Sequence, residues 1–157
     1  MNELLSIAQA TALRSDIGRE GERLAAAFLE EQGCRLVMAN FTVPVGRNGR
    51  GAEVTGEIDL IALDGGVLCF VEVKTRRSNE LFDPSAAVTL RKQRQITRTA
   101  KIYRRIFNVF AMPYRYDVIG IVMPFGGPPE VELLKGFWDD AKFRKRTWNR
   151  EFYGDFV

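Results

Sequence analysis

Three carboxylates and a lysine fall close together near the middle of the chain, in Glu57-Ile-Asp59 and Glu72-Val-Lys74. Between them lie two apolar runs broken by Asp64-Gly65-Gly66, a hairpin signal. A two-residue turn at Gly65-Gly66 sets Asp64 against Val67, and the register that follows pairs Leu63 with Leu68 and Ile61 with Phe70. It carries Asp59 opposite Glu72 and Glu57 opposite Lys74, while Ile58, Leu60 and Ala62 share the other face with Val73, Val71 and Cys69. A turn one residue longer would send Asp59 and Glu72 to opposite faces. Side chains paired in this way have Cβ atoms about 5 Å apart, near enough to share one cation. Without a cation they repel, and one is pushed to hold a proton. Magnesium, with manganese as its substitute, suits two carboxylates plus a substrate phosphate. It polarises a phosphoryl oxygen and makes a bound water acidic enough to attack. Lys74 on the same face then orients that water or stabilises the charge building on the phosphorus oxygens. The chemistry is phosphodiester hydrolysis. The plainer alternative is a salt-bridged strand end, Glu57 with Lys74, leaving Asp59 and Glu72 at the solvent.

The rest of the composition narrows the choice. The chain of 157 residues has no histidine, which removes imidazole bases and nucleophiles and any zinc site that needs one. Its two cysteines, Cys34 and Cys69, sit in apolar stretches and read as buried thiols of a reduced compartment. The start shows no signal-peptide pattern, and no run approaches the ~18 apolar residues of a membrane span. The expectation is a cytoplasmic protein without a membrane partner.

The elements that must hold the carboxylates follow from periodicity. A short lead-in over residues 1–17 precedes a helix that begins near Gly18, with Asp16 as its N-cap, and ends at Gly33. Arg35 to Val45 reads as a strand stopped by Pro44 and the glycine-rich stretch from Gly46 to Gly56. Pro84 opens a long helix whose apolar stripe is Ile96, Ala100, Tyr103, Phe107 and Phe110. Tyr116 to Met123 is a further strand and Glu130 to Leu134 a short edge strand. Helix, strand, hairpin, helix, strand is an α/β order in one domain, residues 18–134, followed by a basic and aromatic tail over residues 135–157. The tail's Trp138, Phe143, Trp148, Phe152 and Tyr153 suit stacking on unpaired bases, docking on the body, or a homodimer contact.

Charge is distributed unevenly. Between Lys74 and Tyr116 there are eleven Lys and Arg against two acidic residues, and none of the acids lies beyond Pro84. The rest of the chain is net negative, although the whole carries +3. So long a one-signed stretch reads as the footprint of a polyanion. Arg76, Arg91, Lys92, Arg94, Arg98 and Lys101 are the candidate DNA contacts. Glu22 shares a helix face with Ala25, Ala26 and Leu29, where it serves either the site or the helix dipole. Gln93 lies in register with the core stripe and either points at the site or caps buried backbone.

Asp59 followed by Phe70-Val-Glu72-Val-Lys74-Thr resembles the PD-(D/E)xK motif of restriction-endonuclease-like nucleases. A longer set of segments resembles the YraN-like family, related to Holliday junction resolvases. They are Gly18-Arg-Glu-Gly-Glu22-Arg-Leu-Ala, Asn40-Phe, Gly56-Glu57-Ile-Asp59-Leu-Ile-Ala, Phe70-Val-Glu72-Val-Lys74-Thr-Arg76 and Lys92-Gln93-Arg. The resemblance implies a single-domain α/β fold, a restriction-endonuclease-like mixed β-sheet flanked by helices. It further implies a metal held by Asp59 and Glu72, Lys74 as the catalytic lysine, and Glu22 brought to the site from its helix. Ile58 stands at the proline position of the motif, and Pro44 to Gly56 is longer than the family's usual link. The expected function is that of a magnesium-dependent endonuclease acting on DNA, branched DNA included. The rival is a DNA-binding accessory protein that keeps the nuclease fold without its chemistry.

Overall fold

The computed structural model describes residues 2–78 and 83–144. Its centre is the hairpin of β2 (Glu53–Asp64) and β3 (Val67–Arg77), joined at Gly65-Gly66. Gly65 takes φ 58°, a left-handed conformation that glycine reaches without steric cost. The pairs run from Asp64↔Val67 through Ile61↔Phe70 to Leu60↔Val71, the register expected from a two-residue turn. There the ladder ends. Toward its start β2 stays with β1 (Arg35–Arg47), down to Arg47↔Glu53, whereas β3 runs on beside β4 (Tyr114–Met123), out to Arg77↔Met123. The two strands therefore part just before Asp59 and Glu72, and the sheet forks.

β5 (Glu130–Trp138) completes a five-stranded sheet in the order β1-β2-β3-β4-β5, antiparallel except for β3 with β4. A parallel pair needs a crossover, supplied here by α2 (Pro84–Ala87) and α3 (Leu90–Ile106), with α3 lying over β2 and β1. The opposite face is covered by α1 (Asn2–Glu31), mainly over β3. This single-domain α/β arrangement, a mixed sheet with helices on both faces, is compatible with the restriction-endonuclease-like fold.

Two apolar cores result. Ile61, Phe70, Ile96, Ala100, Tyr103, Tyr116 and Trp138 pack beneath α3, and Ala25, Leu29, Leu60, Val71, Val73 and Ile119 beneath α1. Ile58 belongs to the α3 side, not with Leu60 and Val73 as strict alternation would have it. Asn40, on the neighbouring strand between the Ala39↔Leu60 and Phe41↔Ile58 pairs, has φ 51°. The left-handed kink locally breaks the period of two, and Asp59 sits at the break. Cys34 and Cys69 are buried free thiols, as expected, and burial pushes Cys69 up to about 12.

Several boundaries differ from the expectation. The first helix does not start near Gly18 but runs back to Asn2, so Asp16 lies inside it and caps nothing. β1 continues through Pro44 to Arg47 because it is an edge strand, where a missing N–H costs no ladder bond, and its register shifts between Pro44 and Gly46. The glycine-rich stretch shrinks to a tight turn, with Asn48 Oδ1 accepting from the N–H groups of Arg50 and Ala52 at 3.0 Å each. The helix expected from Pro84 is interrupted, and Thr89 caps α3 by accepting the Lys92 N–H at 3.2 Å. At its far end Asn108, with φ 52°, stops the helix, which leaves Phe107 and Phe110 exposed. β4 begins at Tyr114 and β5 reaches Trp138, both longer than expected.

Gly18 and Gly21 on α1 separate two effects of the same substitution. A Cβ at Gly18 meets nothing within 4 Å, whereas one at Gly21 collides with the stiff, β-branched side chain of Thr75. Gly18→Ala should stabilise by up to ~1 kcal/mol through helix propensity. Gly21→Ala should destabilise by ~1–3 kcal/mol, because α1 must lift from β3. Chemical denaturation of the two variants checks the opposite signs.

Candidate active site

The fork opens into a cleft of about 670 Å³ between α1, the sheet and the first turn of α3. Its walls carry Glu22 from α1, Glu57 and Asp59 from β2, Glu72 and Lys74 from β3, and Lys92 from α3. The strands have parted here, and the Asp59 carboxylate takes up part of the freed backbone: its Oδ2 accepts the Val73 N–H at 2.7 Å. The two chains thus stay linked, but through a side chain.

Glu72 is 1% exposed. Its Oε1 receives Lys74 Nζ at 2.8 Å and lies 3.6 Å from Lys92 Nζ. Among the described residues its Oε2 is buried without a hydrogen-bond partner, a position that normally costs about 1–3 kcal/mol. Asp59 is pushed up to about 7, first by burial and then by the negative charge of Glu72, with the Val73 N–H pulling the other way. A lone anionic oxygen beside a carboxylate that holds its proton is what a hard divalent cation would resolve. Among the described residues no three acidic or sulfur side chains converge into a complete metal nest. Two carboxylate donors with room for water and phosphate fit magnesium, which keeps most of its shell as water or phosphate oxygen.

The site residues named from sequence separate into groups. Asp59, Glu72, Lys74 and Glu22 come together in the cleft. Lys92, assigned to the DNA-facing surface, turns inward to Glu72. Gln93 does not line the cleft. It is buried, donates from Nε2 to the Val88 carbonyl at 2.9 Å, and accepts Lys142 Nζ at 3.0 Å. It supports the backbone where α2 gives way to α3. Arg91, Arg94, Arg98 and Lys101 form an exposed stripe on the outer face of α3, and Arg76 is exposed on β3. Trp138 stacks on Tyr116 at 4.9 Å and donates from Nε1 to Thr97 Oγ1 at 2.9 Å, so it docks the tail on the body. Trp148, Phe152 and Tyr153 lie outside the described residues. Sequence reasoning missed Arg14 and Arg77, which stand at the cleft with Glu57. Arg14 was legible in principle: residues 14, 18 and 22 share one face of a helix that extends past Asp16.

The raised Asp59 group makes metal-free stability depend on pH with a definite sign. The folded chain holds this proton up to about pH 7 and the unfolded chain only to about 4. The stability gained is therefore full at acid pH and lost as pH rises toward 7. In chelator, thermal melts of Asp59→Asn should lack this fall and should lie above wild type at pH 8. Added magnesium should raise the wild-type melting temperature at that pH and leave Asp59→Asn nearly unmoved.

The profile described as Uncharacterised protein family UPF0102 matches residues 21–121, from the middle of α1 to the end of β4. A UPF0102 protein of Renibacterium salmoninarum is 38% identical over 121 residues, covering 77% of this chain and 94% of its own. One from Chlorobium chlorochromatii is 43% identical over 106 residues, covering 68% and 74%. One from an Arthrobacter species is 40% identical over 120 residues, covering 76% and 93%. The matched span contains Glu22, Glu57, Asp59, Glu72, Lys74, Arg77 and Lys92, hence every charged residue that lines the cleft except Arg14, and the chain belongs to the UPF0102 family.

Proposed function

We propose that this protein is a magnesium-dependent nuclease that hydrolyses phosphodiester bonds in DNA at the fork between β2 and β3. The observation that carries the reading is the buried Glu72, with one oxygen held by Lys74 and the other without a partner among the described residues, beside Asp59, whose carboxyl is raised by burial and by the Glu72 charge. Asp59 and Glu72 Oε2 would hold the ion, which when bound supplies Lewis acidity and an acidified water. Lys74, half-buried and fixed by its 2.8 Å ion pair, keeps donors for the attacking water or for a phosphate oxygen as negative charge builds there. The water oxygen would bond to phosphorus and give up a proton to solvent, the phosphorus–ester oxygen bond would break, and the leaving oxygen would take up a proton from solvent. Lys92, 3.6 Å from Glu72 Oε1, offsets the charge of the carboxylates toward a polyanion. Arg14 and Arg77 suit phosphates flanking the scissile one. Glu22 is placed to position a water by its carboxylate, and the exposed stripe of Arg91, Arg94, Arg98 and Lys101 suits the backbone of a duplex.

Lys74→Ala should abolish metal-dependent cleavage, a loss of ~100-fold or more. DNA binding should hardly change, since one cation among many contributes little to the summed field. Glu72→Gln should also abolish cleavage, and with it the magnesium-induced rise in melting temperature. Linear, flapped and four-way DNA with magnesium, manganese or chelator are the substrates to try. Wild-type protein that binds all of them and cleaves none would leave the accessory DNA-binding reading.

Arg98→Ala should weaken duplex binding by a few-fold and reduce the slope of log affinity against log salt by about 0.9, one phosphate's share. A salt titration by fluorescence anisotropy measures both.

A further inference from the structure

The flank of α3 turned away from Lys92 borders a second cavity of about 670 Å³ that shares no lining residue with the carboxylate cleft. Arg94, Arg98, Lys101 and Arg104 form its α3 wall, and Phe110 and Phe143 also line it. Among the described residues its only acidic lining residue is Asp140, and both of that carboxylate's oxygens already accept hydroxyl protons, from Tyr114 and Tyr116 at 2.6 Å. Among the described residues none of Arg94, Arg98, Lys101 and Arg104 is ion-paired. The Arg104 guanidinium stacks against Tyr114 at 3.8 Å and Phe110 at 5.0 Å, and its Nε is buried with no hydrogen-bond partner. Phe110 is 45% exposed and Phe143 half-buried, and Arg94 sits 5.5 Å from the Phe143 ring. Among the described residues the site thus offers cations without counter-ions beside the exposed Phe110 ring and the part of Phe143 left uncovered where it packs against the core beneath α3.

We infer that this groove binds an unpaired nucleic-acid strand, with its phosphates on Arg94, Arg98 and Lys101 and its bases against Phe110 and Phe143. Cations alone would suit duplex backbone or an anionic membrane as well. The rings decide the matter, because base faces inside a duplex are stacked on one another, whereas those of a single strand are free to stack on protein aromatics. The wall has the right repeat: Arg94, Arg98 and Lys101 lie one helical turn apart, about 5–6 Å per step, along one strip. The exposed face of α3 carries Arg91 as well as Arg94 and Arg98. Arg94, Arg98 and Lys101 take the phosphates of either form, and Phe110 and Phe143 add a grip that only an unpaired strand gains, which suits DNA with a junction, such as a flap or an opened branch. The inference rests on the polyanion half of the proposed function and not on cleavage.

The test uses full-length protein in chelator, with a labelled oligothymidylate and a duplex of equal length. Phe110→Leu and Phe143→Leu keep apolar bulk but remove the ring. Each should weaken single-strand binding by about tenfold and leave duplex binding within about twofold. Phe110→Trp, at an exposed position that tolerates the change, should show tryptophan quenching by oligothymidylate beyond that of wild type. The inference is overturned if the leucine variants bind the single strand as wild type does. It is also overturned if they lose both DNAs alike, if the added tryptophan is not quenched, or if vesicles of anionic lipid displace oligothymidylate more effectively than unlabelled oligothymidylate. Binding of duplex but not of single strand would sink this inference alone. Binding of neither DNA at low salt would sink the proposed function with it.

Discussion

Glu72 is almost wholly withdrawn from water and lies beside Asp59, and two carboxylates so placed repel strongly in a medium of reduced dielectric. Much of the surrounding structure answers that repulsion. Lys74 and Lys92 converge on one oxygen of Glu72 from a strand and a helix. The Val73 N–H, freed where the β2–β3 ladder stops, turns to Asp59. What is left over among the described residues is a raised Asp59 carboxyl and a Glu72 oxygen without a hydrogen-bond partner. A hydrophobic pair at these two positions would be easier to bury, so stability alone does not account for the arrangement.

The fork is a consequence of pairing choice. β3 extends beside β4 in a parallel ladder while β2 stays with antiparallel β1, and strands that diverge cannot keep pairing with each other. The kink at Asn40 and the side change between Ile58 and Ile61 belong to the same event. Thus the sheet loses a few ladder bonds at one place and gains a water-accessible gap, walled by the covering helices, where charged side chains from four elements meet.

α3 serves three surfaces at once because its residues are sorted by angle. Ile96, Ala100 and Tyr103 enter the core, Lys92 reaches the carboxylates, and arginines face out. On the far flank the tail is pinned through polar contacts. Asp140 takes both tyrosine hydroxyls and Trp138 lies flat on Tyr116. Close by, Asp117 is fully buried and held by the Arg115 Nε and the Gly136 N–H. These fixed contacts place Phe143 against Arg94 and give the second groove its wall.

The local patterns were legible in the amino-acid sequence. The Gly65-Gly66 turn set the hairpin register, which brought Asp59 and Glu72 to one place, and the lack of histidine pointed toward carboxylate and metal chemistry. The α/β order and the basic stripe on α3 were visible for the same reason, since periods of 2 and 3.6 are written into consecutive residues. Other features depended on partners distant in sequence. Nothing near Ile58 announces its change of face, which falls opposite the left-handed Asn40 of a neighbouring strand. Lys92 reads as one more surface cation until the fold sets Glu72 within reach. Gln93 shares its helix and its pattern with site residues, yet its amide is taken by Val88 and Lys142. Spacing along the chain decided which side chains share a face. Only the parting of β2 from β3, a competition among non-local ladders, decided which of those faces surround a cleft.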